Sequence, residues 1–319
     1  MNSKFFNNKK IILTGGAGFL GSFVIEKLKE RNCQDILIPR REKYDLTQIE
    51  QVRKMFADFK ADIVIHMAAD VGGIGYNRNN PATIYYNNIM MNTLVQDEAY
   101  RSGVQKFIGI GTVCSYPKFT PIPFLEEELW NGYPEETNAY YGLTKKMMGE
   151  QSKAYQTQYG FNAIHLLMIN LYGPGDNFDL ENSHVIPALI RKFSQAMDES
   201  LKEVVLWGDG SPTREFLYAE DAAEGILLAS EKYDSSVPVN IGAGMEISIK
   251  NLANMTADLL GYNGKIIWDT EKPNGQPRRC LNVSKAEERF NFKAQTSFEE
   301  GMKKTIQWYE ENKKTILGK

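Results

Sequence analysis

Residues 10–21, KIILTGGAGFLG, restrict the possible folds of this chain more than any other part of the sequence. Residues 11–13 form a short apolar run that is typical of a strand buried on both faces. Gly15, Gly18 and Gly21 follow at spacings of three, which predicts a tight turn, a close approach of the backbone to a ligand and close packing of the next helix. The pattern therefore predicts a strand, a turn and a helix start that together bind a pyrophosphate.

The helix predicted over residues 19–31 begins directly after this turn. Its first N–H groups have no partner within the helix and its dipole is positive at the same end, so this terminus suits a phosphate. Because glycine triplets occur in many loops, the prediction depends on the segments that follow. The cofactor-binding residues predicted in this segment are Gly15, Gly18, Phe19, Leu20 and Gly21.

The following segments alternate between strand and helix patterns, as a Rossmann fold requires. Short apolar runs indicate the strands, and apolar residues at helical spacing indicate the helices. The fold class predicted is α/β, a doubly wound parallel Rossmann sheet with a smaller C-terminal α/β domain. The predicted strands are 35–39, 61–68 and 104–111, and the predicted helices are 45–59 and 82–102.

Three features between these elements bear on the site. Asp45 is expected to cap the helix that it opens. The glycine-rich residues 70–80 fit no regular element and are predicted to form an irregular loop at the wall of the site. His66 lies inside a predicted strand, where a lone histidine is usually a satisfied core residue, so no role is assigned to it.

The composition is that of an ordinary globular protein. The 319 residues are 42% hydrophobic and carry a net charge of -3, which fits one large α/β unit or two domains that share a cleft. This charge gives no general attraction to nucleic acid or to anionic membranes. The opening residues MNSKFFNNKK lack the apolar segment of a signal peptide, and no apolar run approaches the roughly 20 residues that span a bilayer, so a cytoplasmic location is expected.

The three cysteines predict no cross-linked or metal-bound structure. Cys33, Cys114 and Cys280 are far apart and form no CxxC pair. Neither a disulfide framework nor a zinc site is therefore expected, and no metal is assigned.

Arg40 and Arg41 stand at the end of the second predicted strand, where a Rossmann fold selects its cofactor. An acidic residue there binds the ribose hydroxyls of NAD, whereas a basic residue can neutralise the 2′-phosphate of NADP. The pair favours NADP(H) over NAD(H). The alternative is that both arginines belong to a solvated loop.

Tyr141 and Lys145 are four residues apart on a predicted helix and therefore share one face. A nearby cation favours the phenolate, so the pair predicts a tyrosine of lowered pKa that acts as an acid or base. Lys145 can also bind the hydroxyls of the nicotinamide ribose. Thr112 ends the neighbouring strand and adds a hydroxyl to this predicted site, although a Tyr-x-x-x-Lys match can also be plain helix surface.

These motifs together resemble the extended short-chain dehydrogenase/reductases that act on nucleotide sugars. Six segments, which occur in the same order and cover most of the chain, are similar to signature segments of the GDP-L-fucose synthase family. They are VGGI at 71–74, CSYPK at 114–118, TNAYYGLTK at 137–145, NLYGPGDNF at 170–178, NSHVIPALIRKF at 182–193 and WGDGSPTREFLY at 207–218.

The resemblance implies NADPH-dependent reduction of a GDP-linked 4-keto sugar after epimerisation at C3 and C5. It implies that Thr112 hydrogen-bonds the substrate carbonyl, that Tyr141 protonates O4, and that Lys145 supports Tyr141 and the cofactor. Epimerisation in the family is assigned to a Cys and a His, which match Cys114 and His184. Protons beside a ketone are acidified because the carbanion becomes an enolate, so a thiol and an imidazole suit this chemistry. The alternatives are a buried apolar Cys114 and an ordinary first-turn His184.

The substrate residues are also implied by the resemblance, with some departures from the family pattern. Arg214 and Arg279 are candidates for the diphosphate, because guanidinium forks match phosphate oxygens, and Trp207 is a further substrate contact. Lys192 stands where the family commonly has Arg, and Thr112 replaces the more usual Ser. Ala17 lies where relatives often carry a basic residue, which removes one possible 2′-phosphate contact.

The chain is predicted to divide near residue 175. Residues 1–175 would form the NADP(H)-binding Rossmann domain and residues 176–319 the substrate-binding domain, with a segment near 214–242 returning to the Rossmann sheet. The family suggests a homodimer built on the long helices near 82–102 and 141–159.

Two alternatives stay open. Within the enzyme class, the chain could be only a C4 reductase, or an epimerase, on another GDP-4-keto sugar such as a heptose. From another class, it could be a dinucleotide-sensing protein without turnover, against which the Tyr141/Lys145 pair argues.

Overall fold

The computed structural model describes residues 4–180, 183–272, 274 and 276–318. Asn182, which belongs to the segment singled out at 182–193, lies outside the described residues, as does the side chain of Ile74.

The strands are short, and five of them, β1, β3, β5, β9 and β10, are buried over their whole length. They are β1 (Ile11–Thr14), β2 (Ile36–Leu37), β3 (Ile63–His66), β4 (Lys106–Thr112), β5 (Ala163–Met168), β6 (Asn170–Tyr172), β7 (Glu203–Trp207), β8 (Thr213–Arg214), β9 (Phe216–Tyr218), β10 (Val239–Ile241), β11 (Ile247–Ser248), β12 (Lys265–Asp269) and β13 (Arg278–Arg279).

The helices lie between these strands in chain order. They are α1 (Phe19–Glu30), α2 (Ile49–Asp58), α3 (Ile74–Asn79), α4 (Pro81–Arg101), α5 (Ala139–Tyr159), α6 (Val185–Asp198), α7 (Ala219–Lys232), α8 (Ile249–Leu260), α9 (Ser284–Phe290) and α10 (Phe298–Ile316), and short 3₁₀ turns occur at Val113–Ser115 and Glu126–Trp130.

A six-stranded parallel sheet of order β10-β5-β4-β3-β1-β2 forms the centre of the fold. Every residue of β1, β3 and β5 is buried, as expected for strands covered on both faces by helices. Because all six strands are parallel, their carboxyl ends meet at one edge, where doubly wound folds bind ligands. The predicted α/β Rossmann fold is confirmed.

The second half of the chain contributes to the central sheet and also forms smaller sheets and an apolar core of its own. β10 pairs with β5 in the central sheet, and α7 packs against α1. Smaller sheets pair β11, β8 and β13, β12 with β7, and β6 with β9. A separate apolar core, which includes Phe193 of α6, Leu252 of α8 and Tyr309 of α10, lies in the later part of the chain. The domain boundary near residue 175 stays a prediction.

Two local predictions were wrong. Residues 70–80 are not wholly irregular, because α3 occupies Ile74–Asn79. The Asn77 side chain stabilises this segment by accepting a hydrogen bond from the Gly72 N–H at 3.3 Å and donating one to Asn138 Oδ1 at 2.9 Å. Asp45 does not cap α2, because its Oδ1 accepts bonds from the N–H and hydroxyl of Thr47 and closes a turn before the helix begins.

Two further observations concern membrane-spanning helices and metal sites, neither of which the sequence predicts. Among the described residues, no helix is both long enough and apolar enough to cross a bilayer. Within the same part of the chain, no group of three or more His, Cys, Asp or Glu side chains could hold a metal ion.

Candidate active site

A cleft of about 790 Å³ opens at the carboxyl ends of the central strands. Most of the predicted cofactor and catalytic residues share its walls, although they come from distant parts of the chain. Those that line it are Gly15, Gly18, Phe19, Leu20, Gly21, Arg40, Arg41, Thr112, Cys114, Tyr141 and His184.

The glycine turn at one end of the cleft has the geometry that the sequence predicts. Gly15 has a φ of +72°, and a Cβ there would lie 2.9 Å from the Ala68 nitrogen. A Cβ on Gly21 would lie 2.5 Å from the Gly15 carbonyl oxygen, so only glycine lets α1 pack this close to the turn. Gly18 precedes α1 and provides no side-chain cap, which leaves the first N–H groups of the helix available to an anion. This cradle fits the pyrophosphate of a dinucleotide.

The arginine pair after β2 lies at the rim of the same cleft. Arg41 is 75% exposed in its side chain, and its Nε lies 3.6 Å from Oδ2 of Asp45. Both Arg40 and Arg41 line the cleft, as do Ala17 and Glu42. Two exposed guanidinium groups at this rim are compatible with a 2′-phosphate, since their charges are only partly neutralised.

The end of β4 carries Thr112 and Cys114 into the cleft. The Thr112 hydroxyl oxygen accepts a hydrogen bond from the Cys114 N–H at 3.2 Å and so caps the 3₁₀ turn that follows the strand. Ser115 donates to the Gly142 carbonyl at 2.9 Å, which ties this turn to α5. The Cys114 carbonyl packs so closely on Gly142 that no side chain fits there. The relative positions of the thiol and the Tyr141 helix are therefore fixed.

Tyr141 and Lys145 lie together on α5, as their spacing predicts. The Lys145 Nζ lies 6.0 Å from the centroid of the Tyr141 ring. Burial lowers the pKa of Lys145 to about 7, and within the described chain its ammonium has no hydrogen-bond or ion-pair partner. Burial, together with the nearby Cys114, raises the pKa of Tyr141. The prediction that Lys145 lowers the pKa of Tyr141 is therefore wrong for this structure, because desolvation outweighs a lysine that itself tends to lose its charge.

His66 belongs to a buried network near Lys145. The amide of Asn92 donates to the Thr144 carbonyl at 3.2 Å, so its Oδ1 accepts from Nε2 of His66 at 3.0 Å. The other ring nitrogen, Nδ1, then accepts from the Thr14 hydroxyl at 2.8 Å. Burial and the charge of Lys145 lower the pKa of His66 to about 3, so the ring is neutral. Both ring nitrogens of His66 therefore have hydrogen-bond partners, as expected for a buried core histidine.

His165 of β5 is a second neutral imidazole near Lys145 that sequence reasoning missed. Its pKa is lowered to about 3 by burial and by the charge of Lys145. Neither ring nitrogen has a hydrogen-bond partner within the described residues. The ring packs against the bare backbone of Gly111 and Gly149, where a Cβ would approach it within 2.9 Å. No short-range sequence signal distinguishes it from an ordinary strand residue.

His184 immediately precedes α6 and lines the same cleft as the glycine turn. Part of its ring is open to solvent, yet the surrounding protein atoms lower its pKa, so the neutral imidazole predominates at neutral pH. Asp176 lines the same cleft and was not predicted. Burial raises its pKa to about 7, while its Oδ1 accepts the Asn177 N–H at 2.7 Å. The turn formed by GPGD was the only sequence signal for it.

Arg214 and Arg279 lie side by side on paired strands near the thiol. They are register partners on β8 and β13. The Arg279 Nη1 lies 3.6 Å from the Cys114 sulfur, and its Nε and Nη2 donate to Gln276 Oε1 at 3.2 and 2.8 Å. Burial and the charge of Arg279 lower the pKa of Arg214 to about 10. Neither arginine is neutralised by a carboxylate within ion-pair distance among the described residues.

Lys192 of α6 and Trp207 of β7 form a second group, because Lys192 reaches across to β7. The Lys192 Nζ contacts the Val205 carbonyl at 3.5 Å, and burial lowers the pKa of this lysine. Trp207 is 66% exposed, with the Nζ of Lys272 5.8 Å from its ring centroid. The predicted substrate residues thus form two groups, one beside Cys114 and one with an exposed aromatic face.

Comparison with known proteins gives consistent matches over nearly the whole chain. The model of the NAD dependent epimerase/dehydratase family matches residues 11–242. The probable GDP-L-fucose synthase 1 of Oryza sativa subsp. japonica is 39% identical over 304 residues, which are 95% of this chain and 92% of the relative.

Two solved structures show the same fold throughout. A GDP-6-OMe-4-keto-L-xylo-heptose reductase from C. jejuni superposes with a TM-score of 0.89 at 27% identity and covers 96% of this chain and 98% of its own. A GDP-L-fucose synthetase from Naegleria fowleri bound to NADP has a TM-score of 0.88 at 28% identity, over 98% of this chain and 97% of its own.

Proposed function

This chain belongs to the NAD dependent epimerase/dehydratase family, and on that basis we propose that it is an NADPH-dependent enzyme that epimerises and reduces a GDP-linked 4-keto sugar. The reaction proposed is epimerisation at C3 and C5 of a GDP-4-keto-6-deoxy sugar and reduction at C4, which gives GDP-L-fucose or a close relative. One observation carries it. Thr112, Cys114, Tyr141 and His184 line a single cleft, with the ammonium of Lys145 behind the tyrosine.

NADPH would lie along the edge of the sheet, with contacts to its pyrophosphate, its 2′-phosphate and its nicotinamide ribose. The turn with Gly15, Gly18 and residues 19–21 would take the pyrophosphate, and Arg40 and Arg41 the 2′-phosphate. Lys145 would hold the ribose next to the nicotinamide. When bound, NADPH supplies the hydride for reduction at C4, and the NADP-bound synthetase from Naegleria fowleri supports this choice of cofactor.

Tyr141 and Thr112 would act on the oxygen of the 4-keto group. Because burial raises the pKa of Tyr141, its phenol holds its proton at neutral pH and can give it to the oxygen as charge develops there. The Thr112 hydroxyl already accepts the Cys114 N–H, so its own proton is free to point at the carbonyl oxygen. Two donors aimed at one oxygen stabilise the developing oxyanion. Lys145 lies near this proton donor, and with a pKa of about 7 it carries its positive charge for only part of the time at neutral pH.

Cys114 and His184 would exchange protons at the carbons beside the carbonyl. One group removes a proton, the electron pair of the C–H bond passes to the carbonyl oxygen, and the other group returns a proton to the opposite face. The lowered pKa of His184 makes its neutral imidazole available as the base. Each cycle converts a thiol and an imidazole into a thiolate and an imidazolium, which solvent resets.

The nucleotide part of the substrate would lie against the later part of the chain. We assign Arg214 and Arg279 to the diphosphate side of the cleft, with Lys192 and the exposed face of Trp207 further out. This assignment goes with the proposed division into a cofactor domain over 1–175, to which a segment near 214–242 returns, and a substrate domain over 176–319.

A second candidate function is C4 reduction alone, on another GDP-4-keto sugar such as a heptose. The structural likeness to the C. jejuni heptose reductase favours it. Purified protein should therefore be given NADPH with GDP-4-keto-6-deoxymannose and, separately, with a GDP-4-keto heptose, and the product stereochemistry read by NMR. Inverted C3 and C5 in a reduced product support the epimerase/reductase. A reduced product without inversion supports the reductase, and NADPH binding without turnover of either sugar supports a sensor.

A homodimer and a cytoplasmic location are further proposals. Exposed large side chains on both long helices support the dimer, including Tyr85 and Tyr86 of α4 and Tyr140 and Met147 of α5. Sedimentation of the full chain at several concentrations tests it, and a monomer at all concentrations would contradict it.

A further inference from the structure

The guanidinium of Arg279 lies against the Cys114 sulfur and is held there by hydrogen bonds to Gln276. Its Nε and Nη2 both donate to Oε1 of Gln276, so its remaining terminal nitrogen, Nη1, faces the sulfur at 3.6 Å. Gln276 is itself fixed, because its Nε2 donates to the Lys118 carbonyl at 3.0 Å. Because the planar guanidinium is hydrogen-bonded through two of its nitrogens, the orientation of its positive charge toward the sulfur is fixed.

The strand that carries Arg279 is held equally firmly. Glu215 is fully buried, its N–H donates to the Arg279 carbonyl at 3.1 Å, and its carboxylate accepts the Leu281 N–H at 2.7 Å. The same carboxylate accepts the N–H groups of Ala243 and Gly244 at 2.7 and 2.9 Å. On the other side of Arg279, the Pro277 carbonyl accepts the Thr213 N–H at 2.9 Å. Arg279 therefore meets Cys114 from a strand that is fixed on both sides of the residue.

The charge of Arg279 is not cancelled within this arrangement. Among the described residues no carboxylate forms an ion pair with it, and its neighbour Arg214 adds a second positive charge. The other groups that face this point are the Tyr141 phenol from α5, which interacts with the charge of Cys114, and Glu135 and Glu246, which interact with Arg214. Nothing else in the described chain supplies a cation in direct contact with the sulfur.

We propose that Arg279 is the positioning residue of Cys114, whose fixed guanidinium stabilises the negative charge on the sulfur whenever the thiol has given up its proton. A thiolate is stabilised by an adjacent cation and is costly in a half-buried site without one. The inference rests on the proposed epimerisation, in which the C–H electron pair passes to the carbonyl oxygen while sulfur gains or loses a proton. It holds whichever of Cys114 and His184 acts first, because both directions pass through a thiolate.

The test is the rate at which iodoacetamide alkylates Cys114 in the full chain at neutral pH, read by mass spectrometry of the modified peptides. In this reaction the thiolate attacks the methylene carbon and iodide leaves, so the rate follows the amount of thiolate. Cys33 and Cys280 are internal controls, since burial raises the pKa of the first to about 11 and of the second to about 12. Arg279→Met should slow alkylation of Cys114 about tenfold, and Arg279→Lys should restore part of the rate.

Arg278→Met is the matched control. Arg278 is the preceding residue, and it pairs with Glu246 at 2.7 Å on the exposed side of the strand. Its loss should leave the Cys114 rate unchanged. Equal slowing in Arg278→Met, or no rescue by lysine, would assign the effect to packing and overturn the proposal.

Two further outcomes are decisive. An unchanged alkylation rate in folded Arg279→Met, with only a raised KM for the GDP-sugar, would make Arg279 a diphosphate ligand alone and overturn the proposal. If Arg279→Met does not fold, Gln276→Ala replaces it, because loss of the hydrogen bonds to Arg279 should slow alkylation several-fold. An unchanged rate in that variant also overturns the inference. Because no sugar is present in these measurements, they test the role of Arg279 separately from the proposed epimerisation.

Discussion

The Nζ of Lys145 lies 6.0 Å from the ring centroid of Tyr141, one helical turn further along α5, and it is almost completely buried. Burial moves the two pKa values toward the neutral forms, upward for the phenol and downward for the amine. The protein alone therefore holds a proton on Tyr141 and a weakly held proton on Lys145. That state suits a phenol that donates to a substrate oxygen.

Tyr141→Phe should remove this proton donor and leave the ring in place. Reduction of the 4-keto sugar should fall about 10²-fold or more, because general acid catalysis is lost. Affinity for NADPH, measured by fluorescence titration, should stay nearly unchanged. Tyr140→Phe, the exposed neighbour on the same helix, is the control. Near-normal turnover in Tyr141→Phe would remove the tyrosine from the proposed mechanism.

Lys145→Met should stabilise the fold at neutral pH while it abolishes activity. The folded-state pKa of about 7 lies below the ordinary value of 10.5, so the buried charge opposes folding, on the order of 5 kcal/mol. The advantage of the variant is full below pH 7 and shrinks as pH rises from 7 to 10.5, because the unfolded chain then also gives up the proton.

Urea unfolding of the wild type and Lys145→Met between pH 6 and about pH 10 measures this difference. Lys153→Met, an exposed lysine of the same helix, is the control and should show no such trend. A pH-independent difference for Lys145→Met would mean that the lysine is not forced toward neutrality by burial.

Replacing Arg40 and Arg41 together by Ala should weaken NADPH much more than NADH. One phosphate contact of this kind is typically about 1.5 to 3 kcal/mol, or roughly ten- to a hundredfold in affinity. Arg41 also pairs with Asp45, so Arg41→Ala alone reports loop effects as well as phosphate binding. Isothermal titration with each cofactor decides the matter, and equal losses for the two would assign the pair to loop structure.

Cys114→Ser and His184→Asn should each slow proton exchange at the carbons beside the carbonyl. Reduction of a substrate that is already epimerised should suffer less, because Thr112, Tyr141 and Lys145 are untouched. The measurement is NADPH oxidation with such a substrate beside hydrogen exchange in the 4-keto substrate. Equal loss of both activities would mean that the two residues serve the cleft only as packing.

Local patterns were enough to predict the sheet, the glycine turn and the Tyr141/Lys145 pair. Each depends on residues close in sequence, such as the apolar run before Gly15 or the four-residue spacing on α5. The alternation of strands and helices then predicts which strand ends meet at one edge of the sheet, and this places Thr112 near the helix that carries Tyr141.

What the sequence did not disclose depends on contacts between distant segments. Arg279 and Cys114 are 165 positions apart and meet only in the folded chain, where β13 brings Arg279 to the turn that follows β4. The pKa directions of Tyr141 and Asp176 follow from burial, which the spacing of residues does not reveal. Asp45 and α3 were misassigned because side-chain bonds to the backbone, which compete with helix caps and loops, leave only a weak sequence signal.

The most direct test of the proposed epimerase/reductase uses the wild-type protein with GDP-4-keto-6-deoxymannose in D₂O and without NADPH. Enolisation needs no hydride, so deuterium should enter C3 and C5 of the substrate, as read by NMR or mass spectrometry, and added NADPH should then convert the exchanged sugar into a reduced product with both centres inverted. If the protein oxidises NADPH with this sugar but no deuterium enters either carbon, the epimerase claim is contradicted and the protein is a C4 reductase.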